Sequence, residues 1–313
     1  MSERPAPRGP APGGFALGTL FVLAAVVLFS FKGIFVKLAY AEGAGAIPLL
    51  YLRFAMALPL FWALALARFG PKRLFAVERP AALVSFLGGG LITYVAWSAD
   101  FKALELIDVG LARIILFSFP VFVFVFDGIR LRRFPPPRHW LVLVVIEGGV
   151  LLALGGFDLA YLLANLEGGA WAMLAALGFA GFIMVNQHAT PRIGGLRFTT
   201  FTVTGAFVGL TIHFFAFHSV SNLELSGLAY LYAGLIALFC TLVPYLLFAE
   251  GLKHTGASRA ALLSGIGPPA AILYAYLILG ETLTPVQLVG MGLVLAGVIA
   301  LEARLKRAAP EAV

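Results

Sequence analysis

The chain has 313 residues, of which 61% are hydrophobic and only 12% charged, and its mean hydropathy is +0.98. A soluble domain is nearer half apolar and a quarter charged, so the composition excludes an ordinary soluble globule and points to lipid as solvent. The formal net charge of +7 does not indicate nucleic-acid binding, because the cations fall in short clusters between apolar runs; the single cysteine, Cys240, excludes an internal disulfide and a thiolate metal cluster.

In chain order, Met1–Gly14 is rich in Pro, Gly and Ala and reads as a short disordered tail. The apolar run that follows is long and has no clear small-residue cleavage site, so it is not read as a signal peptide. A membrane span needs about 20 apolar residues. Ten runs of about that length follow, near 16–38, 47–68, 80–100, 108–129, 139–156, 168–189, 196–217, 227–249, 256–279 and 285–303. Breaker signals separate most of them, among them Gly43–Gly45, Gly70–Pro71, Pro135–Pro137, Gly155–Gly156, Pro191–Gly195 and Thr284–Pro285. With the N-terminus inside, nearly every cation between spans lies inside, and the outer loops carry essentially only Lys102. Both termini are therefore expected in the cytoplasm.

The apolar pattern also occurs twice. Pro120 and Pro268 differ by 148 positions, and the same offset pairs Thr93 with Thr241, Val95 with Val243, Leu104 with Leu252, Ala112 with Ala260, Pro137 with Pro285 and Gly149 with Gly297. Five spans per half, an odd number, force the second half into the membrane upside down. The expected fold is an all-α integral membrane protein of ten transmembrane helices arranged as two inverted five-helix repeats, with a site between the halves.

Charges inside spans are costly and usually face a partner or a watery cavity. Lys32, Arg113 and Glu147 all fall about 8–14 Å below the outer surface at about 1.5 Å per residue, which suggests one polar locus. Arg113 offers a planar fork for a carboxylate or phosphate, Lys32 a second positive charge, and Glu147 a proton acceptor or charge balance. The alternative is a structural Arg113–Glu147 pair between adjacent antiparallel helices. Tyr94, Trp97 and Phe101 share one face of the third span, and Arg113, Phe117 and Pro120 one face of the fourth, so Tyr94, Trp97 and Phe117 are candidate cavity-lining residues. Pro120, Pro244 and Pro268 are candidate hinges, since an intramembrane proline frees a backbone carbonyl and bends the helix. Gly205 and Gly209 form a small-xxx-small pair that suits a close helix contact within the bundle or across a dimer. Walker, His-Glu-x-x-His and Gly-x-Ser-x-Gly motifs are absent; no catalytic residue, metal site or cofactor is assigned.

These residues resemble a known family. Phe35–Leu38, Pro48, Arg53–Phe54, Ala103–Leu104 and Ser118–Val121 in the first half match the drug/metabolite transporter superfamily, in its ten-span group built from two EamA domains. So do Thr241–Pro244, Glu250–Leu252, Gly256–Arg259, Gly267–Pro268, Leu279–Leu283 and Gln287–Gly297 in the second half. The resemblance implies a tail at 1–14, a first EamA repeat at 15–156, a linker at 157–167, a second EamA repeat at 168–304 and a cytoplasmic tail at 305–313. The chain departs from the family at Arg133, which stands where the 148 offset places the mate of Glu281 and where an acid is common. Lys32, Arg113 and Glu147 are also departures, and resemble a bacterial subgroup with a Lys in the first helix and an Arg in the fourth.

The resemblance implies transport of small metabolites, usually export; with the buried charges and the inverted repeat, the expected function is a secondary transporter that exports small organic metabolites, anionic or zwitterionic and amino-acid-like, across the inner membrane by alternating access. Its partners are a small-molecule substrate and the lipid bilayer, with no nucleic acid; monomer and homodimer are both open. The other reading is a non-transporting membrane scaffold or assembly partner.

Overall fold

The computed structural model describes residues 12–131, 137–153, 158–255, 263 and 266–308. The ends of both tails, Arg133 and the Gly256–Arg259 motif lie outside the described residues, as do the breaks at 132–136 and 154–157. Among the described residues every regular element is helical. The first half comprises α1 (Pro12–Ser30), α2 (Lys32–Ala41), α3 (Ala46–Phe75), α4 (Arg79–Leu83), a π-helical turn (Val84–Gly89), α5 (Gly90–Leu106), α6 (Val109–Leu116), α7 (Phe119–Leu131) and α8 (Pro137–Ala153). The second half has α9 (Leu159–Ile193), α10 (Gly195–Phe217), a short 3-10 turn (Val220–Leu223), α11 (Gly227–Ala237), a π turn (Leu238–Leu242) and α12 (Val243–Thr255). It ends with α13 (Gly267–Tyr274), a further π turn (Ala275–Leu279) and α14 (Pro285–Ala308).

Six helical stretches are long and apolar enough to cross a membrane: Ala16–Ala41, Ala46–Phe75, Arg79–Leu106, Leu159–Ile193, Gly195–Phe217 and Gly227–Phe248. Shorter apolar helices occupy Val109–Val123, Val144–Ala153, Gly267–Leu279 and Pro285–Gly297. The lipid-facing surface is rich in Leu, Ile, Val and Phe, as where the surrounding solvent is apolar; Leu141, Val144 and Leu151 on α8 and Ile212 and Phe217 on α10 are well exposed.

Local breaks have local causes. The first span bends at Phe31, where Ser30 Oγ donates both to Val26 O (2.8 Å) and to Gly267 O (3.0 Å), and such back-bonding tilts a helix. Within α3, Gly70 has φ +69°, which only glycine adopts cheaply, and Pro71 starts the next turn. α6 ends at Phe117–Ser118, one turn before the body of α7, so the chain bends just ahead of Pro120. Pro268 sits in the first turn of α13, and Pro244 just after the π turn Leu238–Leu242. α9 begins at Leu159, inside the expected linker, because Asp158 caps it by accepting from Tyr161 N–H.

The principal packings pair one half with the other: α5 against α9, α8 against α14, α1 against α12, α10 against α3 and α5, and α6 against α13. Close approach explains the small residues. A Cβ at Gly90 would lie 2.7 Å from Gly205 Cα, and one at Gly205 would overlap Phe86 O. Gly205 therefore serves a contact within the bundle, and Gly209 faces the Tyr94 ring beside it.

Candidate functional site

The buried charges converge on one carboxylate. Trp97 and Asp100 lie at i and i+3 on α5, on one face. Asp100 Oδ2 accepts from Lys32 Nζ at 2.7 Å, and Asp100 Oδ1 lies 3.0 Å from Arg113 Nη2. Lys32 opens α2 just after the bend at Phe31, and Arg113 stands one turn into α6, so two helix starts deliver the cations to α5. A third cation completes the group. Arg53 on α3 lays its guanidinium over the Trp97 ring, 3.7 Å from the centroid, and Lys32 Nζ lies 4.2 Å from the same ring. The charge of Arg53 also acts on Asp100.

These groups are closed off. Arg53 is 1% exposed and Asp100 5%; Lys32 and Arg113 have side chains 11% exposed. Arg53 Nε donates to Thr241 Oγ1 at 3.1 Å, and Thr241 Oγ1 donates to Ile236 O at 2.8 Å across the π turn Leu238–Leu242. That turn belongs to the second half, so the first-half charge centre touches the other half through Thr241. Widened turns of this kind recur at functional sites. Arg53 Nη1 is buried without a hydrogen-bond partner, and Arg113 Nη2, though in ionic contact with Asp100, lacks hydrogen-bonding geometry to any acceptor. Thr93 Oγ1, one turn from Trp97 on the same face of α5, is likewise unpartnered.

On two helices the centre lies below a crevice of about 600 Å³, lined by Gly43–Pro48 without Ala44, by Lys102 and Glu105, and by His218, Ser221, Asn222, Glu224 and Leu225. Glu105 is five residues beyond Asp100, and Pro48 five before Arg53, about 7–8 Å along each helix. Tyr40 Oη donates to Phe101 O between them at 2.6 Å.

Of the residues singled out in the sequence, Lys32, Arg113 and Trp97 come together. Tyr94 turns to α10, where its hydroxyl meets His213 Nδ1. Phe117 closes α6 and packs edge-on against Phe119, with centroids 5.9 Å apart. Glu147 stays on α8; its Oε1 is buried without a partner, and it forms no ion pair among the described residues. The carboxylate facing Arg113 is Asp100, in place of the Arg113–Glu147 pair weighed as an alternative. Asp100 and Arg53 were missed. Asp100 is the last residue of the run at 80–100, and its i+3 spacing from Trp97 is the signal that could have found it. Arg53 was absorbed into a family motif despite lying six residues inside a span.

The EamA-like transporter family matches this chain twice, over residues 16–155 and 166–302. The chain belongs to the EamA-like transporter family. This EamA-like transporter is 32% identical over 284 residues to the uncharacterized transporter YcbK of Bacillus subtilis (strain 168), covering 88% of this chain and 90% of that protein. It is 28% identical over 250 residues to the threonine/homoserine exporter RhtA of Escherichia coli (strain K12), covering 77% of this chain and 78% of that one. A crystal structure aligns with TM-score 0.62 at 17% identity over 93% of this chain and 99% of its own; at that identity the likeness shows the fold alone. The two family matches and the apolar helices make this EamA-like transporter a multi-pass membrane protein.

Proposed function

We propose that this transporter exports small organic metabolites with a negatively charged end, anionic or amino-acid-like, by alternating access across an inner membrane. The observation that carries the reading is the sealed charge centre of Lys32, Arg53, Asp100 and Arg113, which touches the second half at Thr241. In a bilayer such charges mark a substrate path. The cations supply the binding charge, Trp97 an apolar wall, and opening toward either side exposes the centre in turn.

In this reading the ten spans form two inverted five-helix repeats, with both termini cytoplasmic. The packing supports it. Shifting by 148 carries α1 onto α9 and α5 onto the segment of α12, so the α1–α12 contact becomes the α9–α5 contact. The packings of α3 with α10 and of α8 with α14 each exchange with themselves. A two-fold relation between halves requires such a pattern. That RhtA is an amino-acid exporter by name supports the size class of the cargo.

The test is a comparison of the medium from cells producing wild type, Lys32→Ala and Arg113→Ala at matched membrane levels. A compound enriched outside only with wild type is expected, and its structure gives the cargo. Equal media from all three would overturn the assignment of these cations to cargo.

A further inference from the structure

The charge centre holds three bases and one acid. Lys32, Arg53 and Arg113 carry three positive charges, and Asp100 one negative, its Oδ2 hydrogen-bonded to Lys32 and its Oδ1 in ionic contact with Arg113. Even with one base uncharged, an excess of positive charge remains in a nearly dry site. Each buried ion loses several kcal/mol of hydration, and only a close counter-charge offsets that loss. The arrangement is therefore complete only when something negative enters. The unoccupied hydrogen-bonding capacity is of the same kind: Arg53 Nη1 is a buried donor without a partner, and Arg113 Nη2 has only an ionic contact with Asp100 and no hydrogen bond. Arg53 is held flat against Trp97 and pinned through Nε to Thr241, so its free edge is pre-oriented.

A zwitterion fits this centre badly. Its carboxylate could use the two guanidinium groups, but its ammonium would need an acceptor. Asp100 Oδ2 is 2.7 Å from Lys32 and Oδ1 3.0 Å from Arg113. Glu147, a further acid within a span, contacts none of these groups among the described residues. Three cations around an added ammonium repel it, and specificity arises as much from such repulsion as from attraction.

We infer that the cargo is a net-negative organic anion, with a carboxylate or phosphate end and no compensating ammonium, received by Arg53 and Arg113. This rests on the reading of the centre as the cargo site. It departs from the amino acids in the name of the RhtA relative, and it makes Arg53 a specificity-determining residue.

The test uses the purified full-length protein in nanodiscs at neutral pH and fixed ionic strength. Succinate, acetate and inorganic phosphate are compared with the zwitterions glycine and L-alanine by thermal unfolding and calorimetric titration. At least one of the anions is expected to bind and raise the unfolding temperature, with the zwitterions at least about tenfold weaker, the discrimination that one unmatched charge gives. Arg53→Gln and Arg113→Gln should each weaken anion binding about tenfold or more. Zwitterions binding as tightly as the anions, or none of the anions binding, would overturn the inference from wild type alone, even if the variants do not fold. Anion binding without flux in liposomes would remove the transport reading and leave the centre as a selective anion-binding site. Zwitterion flux without anion binding would do the reverse.

Discussion

Asp100 holds two cations with one carboxylate, so its removal should be among the most damaging single changes in the chain. Asp100→Ala leaves Lys32 and Arg113 buried without a counter-charge, a defect worth about 3–5 kcal/mol; a large fall in unfolding temperature in detergent is expected. Arg53→Lys should behave differently. The chain should fold, because the replacement is still a cation on a long stem. Flux should nevertheless drop about tenfold or more, because an ammonium cannot lie flat on Trp97 while donating to Thr241 and to cargo; flux in liposomes per folded molecule measures it. Lys32 and Arg113 were legible as anomalies, since a charge in an apolar run stands out. Their partner was not, because Asp100 is 68 residues from Lys32 and pairing across that distance is a property of the packed helices. Glu147 stood out for the same reason and yet remains apart, since sequence depth fixes height along a helix and leaves open which way the side chain turns.

At the level of elements, the start of α6 depends on a residue from the other half. Asp108 flanks α6 without making a cap hydrogen bond, and Glu281 takes the role instead, accepting from Val109 N–H at 3.1 Å and Gly110 N–H at 3.2 Å. A carboxylate at a helix N-terminus satisfies orphan donors and complements the dipole. Since α6 carries Arg113 one turn further on, Glu281→Ala should cost about 1–2 kcal/mol of stability and also loosen cargo binding; thermal unfolding and titration on one preparation would show both. Burial pushes the Glu281 carboxyl up from its ordinary value, and the two backbone donors act in the opposite direction. Between the ordinary and the raised value, the folded chain keeps a proton that the unfolded chain has lost. The contribution of this group is thus fully present below the ordinary carboxylate value and falls as pH rises through the raised one. Glu281→Gln should remove that slope from a plot of unfolding temperature against pH. The Leu279–Leu283 motif was readable as a signature, but its role was not, because the helix it caps lies 171 or more residues earlier.

Over the whole molecule the 148 offset that aligns apolar runs does not align the buried charges. The offset of 148 carries Lys32, Arg53, Asp100 and Arg113 onto Ala180, Phe201, Phe248 and Ala261, all apolar. The apolar helices were readable from the sequence, because lipid imposes an apolar length on each span. The centre itself was only half visible, being built in one half and closed by Thr241 from the other. That asymmetry supplies a probe of alternating access. Cys240 precedes Thr241 in the π turn, is fully buried, and is the only cysteine in the chain. A water-soluble maleimide should then label the resting protein very slowly, since the thiol must first reach water. If the halves separate at Thr241 during turnover, saturating cargo and a gradient should raise the labelling rate about tenfold or more, the change expected when opening costs about 1.4 kcal/mol less. A membrane-impermeant reagent applied to one side of oriented vesicles at a time should find that conditions favouring labelling from one face suppress it from the other. Equal labelling from both faces under all conditions would mean that the contact between the halves at Thr241 does not open in the cycle, and the centre would have to be reached by another route.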